Sequence, residues 1–412
     1  MRQPRPPTTD NSVGKTNSER PQQRNNSSRP TLINSTTDAI FDEASTACRP
    51  VRIIRSSRHS WSQSMTASPS QLPVLDLSRF RSDTAERAEF LRDVRDAAFG
   101  PGFFYLVGHG ISDRLIRDVL FASRNFFALP EADKLDIEMI NSPHFRGYTR
   151  AGREFTRGQP DWREQLDVGA EREAFPLSRS APPWTRLQGP NQWPDALPEL
   201  KPLLLRYQQE VTELAIKVLR VFAAALGQAE DVFEPIYVPS PNQLIKIIRY
   251  PGRAADESDQ GVGTHKDSGF VTILLQDTVA GLQVETADGW IDAPPLPGSF
   301  VVNIGEILEL ASNGALRANV HRVVSPPPDT DRLSVAFFLG ARLDATVPVL
   351  TLPPELADYA RGVTQDPQNP LFRDVGRNYL KGRLRSHPDV AERHHADLLD
   401  EYAIKPGLAA AY

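Results

Sequence analysis

The sequence predicts an α+β protein: a mixed α/β front half, an all-β core of sandwich or jelly-roll type, and a helical tail. Three observations carry this expectation. Between Gln71 and Leu226, extended and helical hydrophobic periods alternate. After Pro241 the apolar runs turn short and β-branched or aromatic, separated by Gly, Pro and Asp turns. From Arg373 to Ala403 a helical pattern returns.

Composition narrows the class before any motif is read. The chain has 412 residues, 40% hydrophobic and 24% charged, with a formal net charge of −5. That length can bury a sizeable core without staples, and no apolar run reaches the length of a membrane span. An acidic balance argues against a nucleic-acid binder, which needs a basic surface. The lone cysteine, Cys48, excludes an internal disulfide and a thiolate zinc site. A metal held by His and carboxylate ligands stays open.

Residues 1–64 differ from the rest. They are mostly Ser, Thr, Asn, Gln, Pro and Arg without periodicity, with ten Arg/Lys against five Asp/Glu. Such a segment buries too little surface to offset its ordering entropy, so a disordered basic tail is expected. A second reading makes Met65 the start, just ahead of Ser68-Pro69-Ser70. No secretory leader is recognisable, and Asp38, Asp42 and Glu43 speak against an organellar transit peptide. A cytoplasmic location is the expectation.

The ordered elements follow in sequence. Leu72 to Leu77 reads as strand, Thr84 to Ala98 as helix stopped at Gly100-Pro101-Gly102, and Phe103 to Val107 as a second strand. Ser112 caps a helix running to Phe127. Residues 140–195, rich in Arg, Gly, Pro and Trp, are expected to form loops and short strands that complete an N-terminal region over 71–195. A scaffold segment, 196–240, holds the longest helical pattern, Leu200 to Leu226, with Pro202 tolerated in its first turn. Its apolar face carries Leu204, Val211, Leu214, Ala215, Val218, Leu219 and Phe222. The β core is placed at 241–345 and the tail at 346–412. Core strands are expected at Leu244 to Tyr250, Val271 to Leu275, Leu282 to Glu285, Phe300 to Asn303 and Leu333 to Leu339.

Three histidines open an H-x-D: His265-Lys266-Asp267, His387-Pro388-Asp389 and His395-Ala396-Asp397. Backbone period chooses between them. Side chains at i and i+2 share a face in an extended chain but diverge by about 200° on a helix. His395 and Asp397 lie in the helical pattern Ala391 to Leu399, and Asp389 stands where that helix begins, near its positive N-terminus. His265 and Asp267 stand at the entrance to the extended run Gly269 to Leu274, so only this pair presents an imidazole and a carboxylate to one cation. The third ligand expected is His321, 54 residues after Asp267 in the β-like run Ala318 to Val324. Two His and one carboxylate leave three octahedral positions open, which suits non-haem Fe(II) activating O2. Eleven residues beyond His321, Arg332-Leu333-Ser334 heads the apolar strand. A guanidinium there is costly to bury unless an anion awaits it, and its fork beside the Ser334 hydroxyl matches a carboxylate.

This constellation resembles the Fe(II)/2-oxoglutarate-dependent dioxygenases, more closely their isopenicillin N synthase-like branch. Supporting segments are Pro73-Val74-Leu75-Asp76-Leu77, Gly102 to Ile111, Arg249-Tyr250-Pro251, Gly281-Leu282-Gln283-Val284, Val302 to Glu306 and Ser312-Asn313-Gly314, spread over roughly Leu72 to Leu399. The resemblance implies a double-stranded β-helix (jelly roll) core with an N-terminal α/β region packed against it. It implies that His265, Asp267 and His321 hold Fe(II), with no catalytic residue beyond these ligands. Arg332 and Ser334 would bind the distal carboxylate of 2-oxoglutarate, with Tyr250 adding a phenol hydrogen bond. O2 would be the oxidant and ascorbate an accessory reductant. A monomeric enzyme would thus hydroxylate or desaturate a small molecule, releasing succinate and CO2.

Two features depart from the family pattern. Glu306 stands where Asp is usual after Asn-Ile-Gly, and the plant-type Asn-Tyr-Tyr-Pro is reduced to Arg249-Tyr250-Pro251, so plant substrates are not carried over. The stretches Arg146 to Glu154 and Asp161 to Gly169 are similar to bacterial and fungal members, including the ethylene/succinate-forming enzyme. Isopenicillin N synthase and aminocyclopropane-carboxylate oxidase share the Arg-x-Ser pair without consuming 2-oxoglutarate, and form the first alternative. A non-enzymatic jelly-roll binding module is the second; a lost ligand would mark it, and none is lost. Gly100-Pro101-Gly102 and Gly261-Val262-Gly263 lack the third glycine of a dinucleotide loop. Arg146, Arg150, Arg153 and Arg157 read as a solvated loop or part of a substrate mouth, interleaved with Glu154, Asp161 and Glu164. Phe103, Phe104, Phe126, Phe337 and Phe338 read as core.

Overall fold

Strand and helix alternate at first, and the chain then turns to strands, in the computed structural model. It describes residues 71–402 except 82–84, 177, 179, 255–257 and 364–368. The readings of residues 1–64 and of Met65 lie outside the described residues. The front half runs β1 (Val74–Asp76), α1 (Ala85–Phe99), β2 (Phe103–Val107), α2 (Asp113–Phe127) and α3 (Glu131–Leu135). Short strands follow: β3 (Gly147–Thr149), β4 (Phe155–Thr156), β5 (Gln159–Pro160) and β6 (Glu164–Gly169), then helices α4 (Leu200–Ala225) and α5 (Glu234–Tyr237). The back half is β7 (Asn242–Tyr250), β8 (Gln260–His265), β9 (Val271–Gln276), β10 (Leu282–Thr286), β11 (Gly289–Asp292) and β12 (Phe300–Ile304). It continues with α6 (Glu306–Ala311), β13 (His321–Val324), β14 (Arg332–Gly340), α7 (Val375–Ser386) and α8 (Pro388–His394).

Local chemistry accounts for these elements. Ser112 Oγ accepts the Leu115 N–H at 3.2 Å and so starts α2, whose Leu115, Val119, Ala122 and Phe126 recur at helical spacing and are buried. Helix α4 buries every apolar position expected of it. It lies on the eight-stranded sheet, ordered β1-β2-β12-β9-β14-β7-β6-β3. On that face Ile245, Ile247, Ile273, Val335 and Phe337 join Leu204, Val211 and Phe222 of α4 in one core.

The period of two sends the alternate residues the other way. Ile248, Tyr250 and Ala336 meet Val262, Leu282, Val284 and Val323 from a four-stranded sheet ordered β11-β10-β13-β8. Two sheets closing on one apolar interior make a jelly-roll core in an α+β chain. Each such aliphatic or aromatic side chain contributes about 1.5–3 kcal/mol by leaving water.

Three expectations need correction. The tail is helical only from Val375 onward among the described residues: the described part of 346–374 holds just a 3-10 turn at Ala357–Tyr359, after which α7 stops at Ser386 and α8 begins at Pro388, which brings no N–H, where a helix start was expected. His395 caps α8 and Asp397 lies in the 3-10 turn Ala396–Leu398, not in the α-helix expected over Ala391 to Leu399, and they still diverge. His395 is buried and stacks on Phe145 at 5.2 Å, whereas Asp397 pairs with Arg186 at 2.7 Å. Arg146 is neither solvated nor at a mouth, because it is buried and donates to the carbonyls of His144, Phe145 and Leu187.

Candidate metal centre and co-substrate site

The centre forms where the edge strand of the four-stranded sheet ends. His265 closes β8 and His321 opens β13, and the two are register partners across the antiparallel pair. Their rings stand 4.2 Å apart between centroids. Asp267 is not on a strand, as the extended reading supposed; the turn after β8 carries it back toward both rings. Its Oδ1 lies 3.5 Å from His265 Nε2 and 3.6 Å from His321 Nε2, and the three donor atoms all fall within 4.8 Å of one another.

Hydrogen bonds fix which atoms face inward. His265 Nδ1 donates to the Gly263 carbonyl at 2.8 Å and His321 Nδ1 to the Asn319 carbonyl at 3.2 Å. A carbonyl only accepts, so each Nδ1 carries a proton and each Nε2 keeps its lone pair for a neighbour. Asp267 Oδ2 is taken by Thr272 Oγ1 at 2.5 Å and Asn303 Nδ2 at 2.7 Å, which leaves Oδ1 for the shared point. Thr272 and Asn303 were not singled out as site residues. Asn303 sat inside a quoted motif, while Thr272 gave no signal at all.

Titration behaviour fits a cation site. Burial works to raise the Asp267 carboxyl, but His321, His265 and Asn303 outweigh it and hold it well below the usual carboxylate range. Burial, then the adjacent His265, press His321 down to about 4. Burial also works against His265 charging, but its bond to Asp267 prevails and raises it. Two neutral imidazoles and one carboxylate oxygen, with no thiolate, fit Fe(II).

Across the interior, Tyr250 and Arg332 are register partners on β7 and β14. Arg332 is fully buried, and no carboxylate of the described residues pairs with it. Its Nη2 donates to Gln276 Oε1 at 2.8 Å, its guanidinium lies 4.9 Å from the Tyr250 ring centre, Ser334 Oγ is 3.5 Å from Nη1, and Nε has no partner. Gln276 is a site residue the sequence reading missed. Gly281 makes the room: a Cβ there would stand 3.1 Å from Arg332 Cδ and 2.8 Å from the Val324 carbonyl. A buried guanidinium so held carries a charge that no acid among the described residues balances.

A cavity of about 740 Å³ opens beside the metal ligands, lined by His265, Asp267, Lys246, Glu306, Phe338 and Arg383 among others. Its wall does not include Arg332, Ser334 or Tyr250, although Tyr250 shares a core with the wall residues Val262 and Phe338. Charges found only by folding build one side. Glu154 bonds Lys246 at 2.8 Å and Arg163 at 2.7 Å, and His387 Nε2 stands 3.4 Å away. Asp167 binds Arg383 at 2.7 Å and so ties α7 to β6. Of the three H-x-D histidines, His387 thus stands behind the cavity wall, beside the lining residue Glu154, without joining the metal set. Glu306, at the start of α6, is pushed up to about 7 by burial.

Two family models match this chain. One, the N-terminal region of non-haem dioxygenases in morphine synthesis, covers residues 72–196, and the 2OG-Fe(II) oxygenase superfamily covers residues 241–341. A 2-oxoglutarate-dependent dioxygenase, frbJ, of Dothideomycetidae sp. is 36% identical over 340 residues, 78% of this chain and 91% of the relative. The chain belongs to the 2-oxoglutarate/Fe(II) oxygenase superfamily. A homoarginine-6-hydroxylase of Arabidopsis thaliana is 38% identical to the oxygenase over 295 residues, 68% of this chain and 88% of the relative. Among solved structures, a full-length Neurospora crassa protein in complex with alpha-KG is 25% identical, with TM-score 0.59 over 71% of the oxygenase and 96% of that chain. JOX2, in complex with 2OG, Fe and JA, is 27% identical, with TM-score 0.58 over 75% and 84%. The oxygenase is accordingly an Fe(II)- and 2-oxoglutarate-dependent oxidoreductase. No helix among its described residues is long and apolar enough to cross a membrane.

Proposed function

We propose that His265, Asp267 and His321 hold Fe(II), that Arg332 with Ser334 and Tyr250 receives the distal carboxylate of 2-oxoglutarate, and that a small polar molecule is hydroxylated in the adjoining cavity. The observation that carries this reading is the convergence of two Nε2 lone pairs and one carboxylate oxygen, with every other polar atom of those side chains already engaged. Bound iron supplies the O2 activation that couples decarboxylation of 2-oxoglutarate to oxidation of the prime substrate. The chain supplies the arrangement. Gly263 and Asn319 fix the two imidazole tautomers, and Thr272 and Asn303 stop Asp267 from rotating. Gln276 and the Tyr250 ring hold Arg332 ready for a carboxylate, so little ordering is left for the moment of binding.

The cavity's size and charged wall support a small molecule as substrate rather than a nucleic acid. Relatives named as homoarginine-6-hydroxylases make basic amino acids the first compounds to screen. The oxygenase is read as a monomer of the cytoplasm, to be checked by light scattering and cell fractionation.

Anaerobic Fe(II) plus 2-oxoglutarate should give a weak visible charge-transfer band, lost in His265→Ala. Succinate should appear on turnover with O2. Wild-type protein that shows neither band nor succinate overturns the reading. A band followed by product without succinate would favour the oxidase alternative, in which Arg332 binds a carboxylate of the substrate itself.

A further inference from the structure

We propose that Glu306 is the recognition residue of the prime-substrate subsite, and that it receives a cationic nitrogen group, ammonium or guanidinium, on the substrate. The inference rests on the proposed function and deepens it. Its basis is the one departure from the family motif that faces the cavity.

Backbone contacts fix where Glu306 stands. Its N–H donates to the Asp267 carbonyl at 2.7 Å, flanked by Gly305 N–H to Phe270 O at 2.9 Å and Ile307 N–H to Gly269 O at 3.1 Å. The turn bearing Glu306 is therefore sewn onto the turn bearing the metal-binding carboxylate. A Cβ at Gly305 would stand 2.0 Å from the Gly269 carbonyl, so the two turns touch directly. The Glu306 side chain lines the same cavity as His265 and Asp267.

Every other carboxylate on that wall is engaged within the protein. Glu154 is held by Lys246 and Arg163, Glu309 by Lys266 at 3.1 Å, and Asp267 by Thr272 and Asn303. The Glu306 carboxylate has neither a hydrogen bond nor an ion pair with any described residue. Lys266 and Lys381 lie nearby but are occupied, the first with Glu309 and the second with the Pro370 carbonyl. A largely buried carboxylate without a donor is costly, and a substrate N–H cation is the partner that repays most of that cost. The extra methylene relative to Asp carries the carboxylate further from the backbone, toward the occupant of the cavity.

Paired probes test this: L-homoarginine against L-homocitrulline, its neutral near-isostere, and L-lysine and agmatine as further cations. Each is titrated anaerobically into protein loaded with Fe(II) and 2-oxoglutarate, and binding is read from the shift of the charge-transfer band. Wild type should bind a cation about 30-fold more tightly than its neutral counterpart, the scale of one hydrogen bond to a charged group. Glu306→Gln should bring that ratio near one while the band before probe addition, and the melting temperature, stay as in wild type. Glu306→Asp should restore part of the preference. A wild type that binds none of the cations, or a Glu306→Gln variant that keeps the preference, overturns the assignment. Loss of the band itself would instead point to failure of the metal and co-substrate reading.

Discussion

Replacing Arg332 with Met separates co-substrate binding from folding. In the unliganded protein the guanidinium has one good hydrogen bond, to Gln276, a ring contact with Tyr250, an orphaned Nε and no acid partner. Removing it forfeits about 1 kcal/mol for each of the first two and relieves the burial of an uncompensated charge. Stability without ligand should therefore stay within about 1 kcal/mol of wild type, whereas truncating a fully buried side chain in an ordinary core costs about 2–5 kcal/mol. The loss falls on the co-substrate. Two charge-assisted hydrogen bonds to its distal carboxylate are worth about 3–4 kcal/mol, so 2-oxoglutarate should bind roughly 100- to 1000-fold more weakly.

Thermal melting with Mn(II) as an inert metal reads both quantities together. At 2-oxoglutarate a hundred times the wild-type Kd, wild type should gain about 2.7 kcal/mol and the variant a few tenths at most. That gain corresponds to a rise in Tm of about 5 °C against almost none, for a domain of this size. A variant that keeps the ligand-dependent rise refutes the role of Arg332. So does one that loses several kcal/mol before any ligand is added, since Arg332 would then be a structural residue.

Three further outcomes follow from the same geometry. Asn303→Ala or Thr272→Val should free Asp267 to rotate and weaken Fe(II) about 10- to 100-fold; equilibrium metal titration giving unchanged affinity would show the pair to be incidental. Glu154→Gln should cost about 1–3 kcal/mol in urea unfolding, because Lys246 and Arg163, both buried, each lose one of two carboxylate partners and keep only Asp167 and Asp161. Combining it with Lys246→Met should recover part of that loss, and strict additivity would contradict the coupling. Burial holds His395 down to about 4, below the ordinary value of 6.5. Its neutral form therefore stabilises the fold at neutral pH, and that contribution fades as pH falls from about 6.5 toward 4. The stability gap between wild type and His395→Phe should accordingly shrink by up to about 3 kcal/mol over that range, and a pH-independent gap would refute this account.

Much of the molecule could be read before it was seen folded, for identifiable reasons. Helices α2 and α4 and strands β7, β9 and β14 each carry a strong hydrophobic period, and that period is a local property of the chain. The strand β8 carries almost none, because Gly261 and Gly263 interrupt it; pairing with β13 makes it a strand. In the tail, by contrast, Pro388 marks the start of α8 in the sequence itself, since it cannot supply an N–H to a preceding turn.

Residue type and spacing singled out His265, Asp267 and His321, whose donor atoms the fold brings within 4.8 Å of one another, and the Arg332-x-Ser334 pair, which heads β14. What holds them could not be read that way. Thr272, Asn303 and Gln276 are ordinary polar residues whose worth depends on which strand lies beside them. Glu154, Asp167, Lys246, Arg383 and His387 are scattered over more than two hundred positions and meet only when α7 closes on β6 and β7. Sequence by itself decided the chemistry, since ligand identity is written residue by residue. Tertiary structure alone decided the shape and charge of the cavity, because a pair's energy depends on distance and burial, and neither exists until the two sheets close.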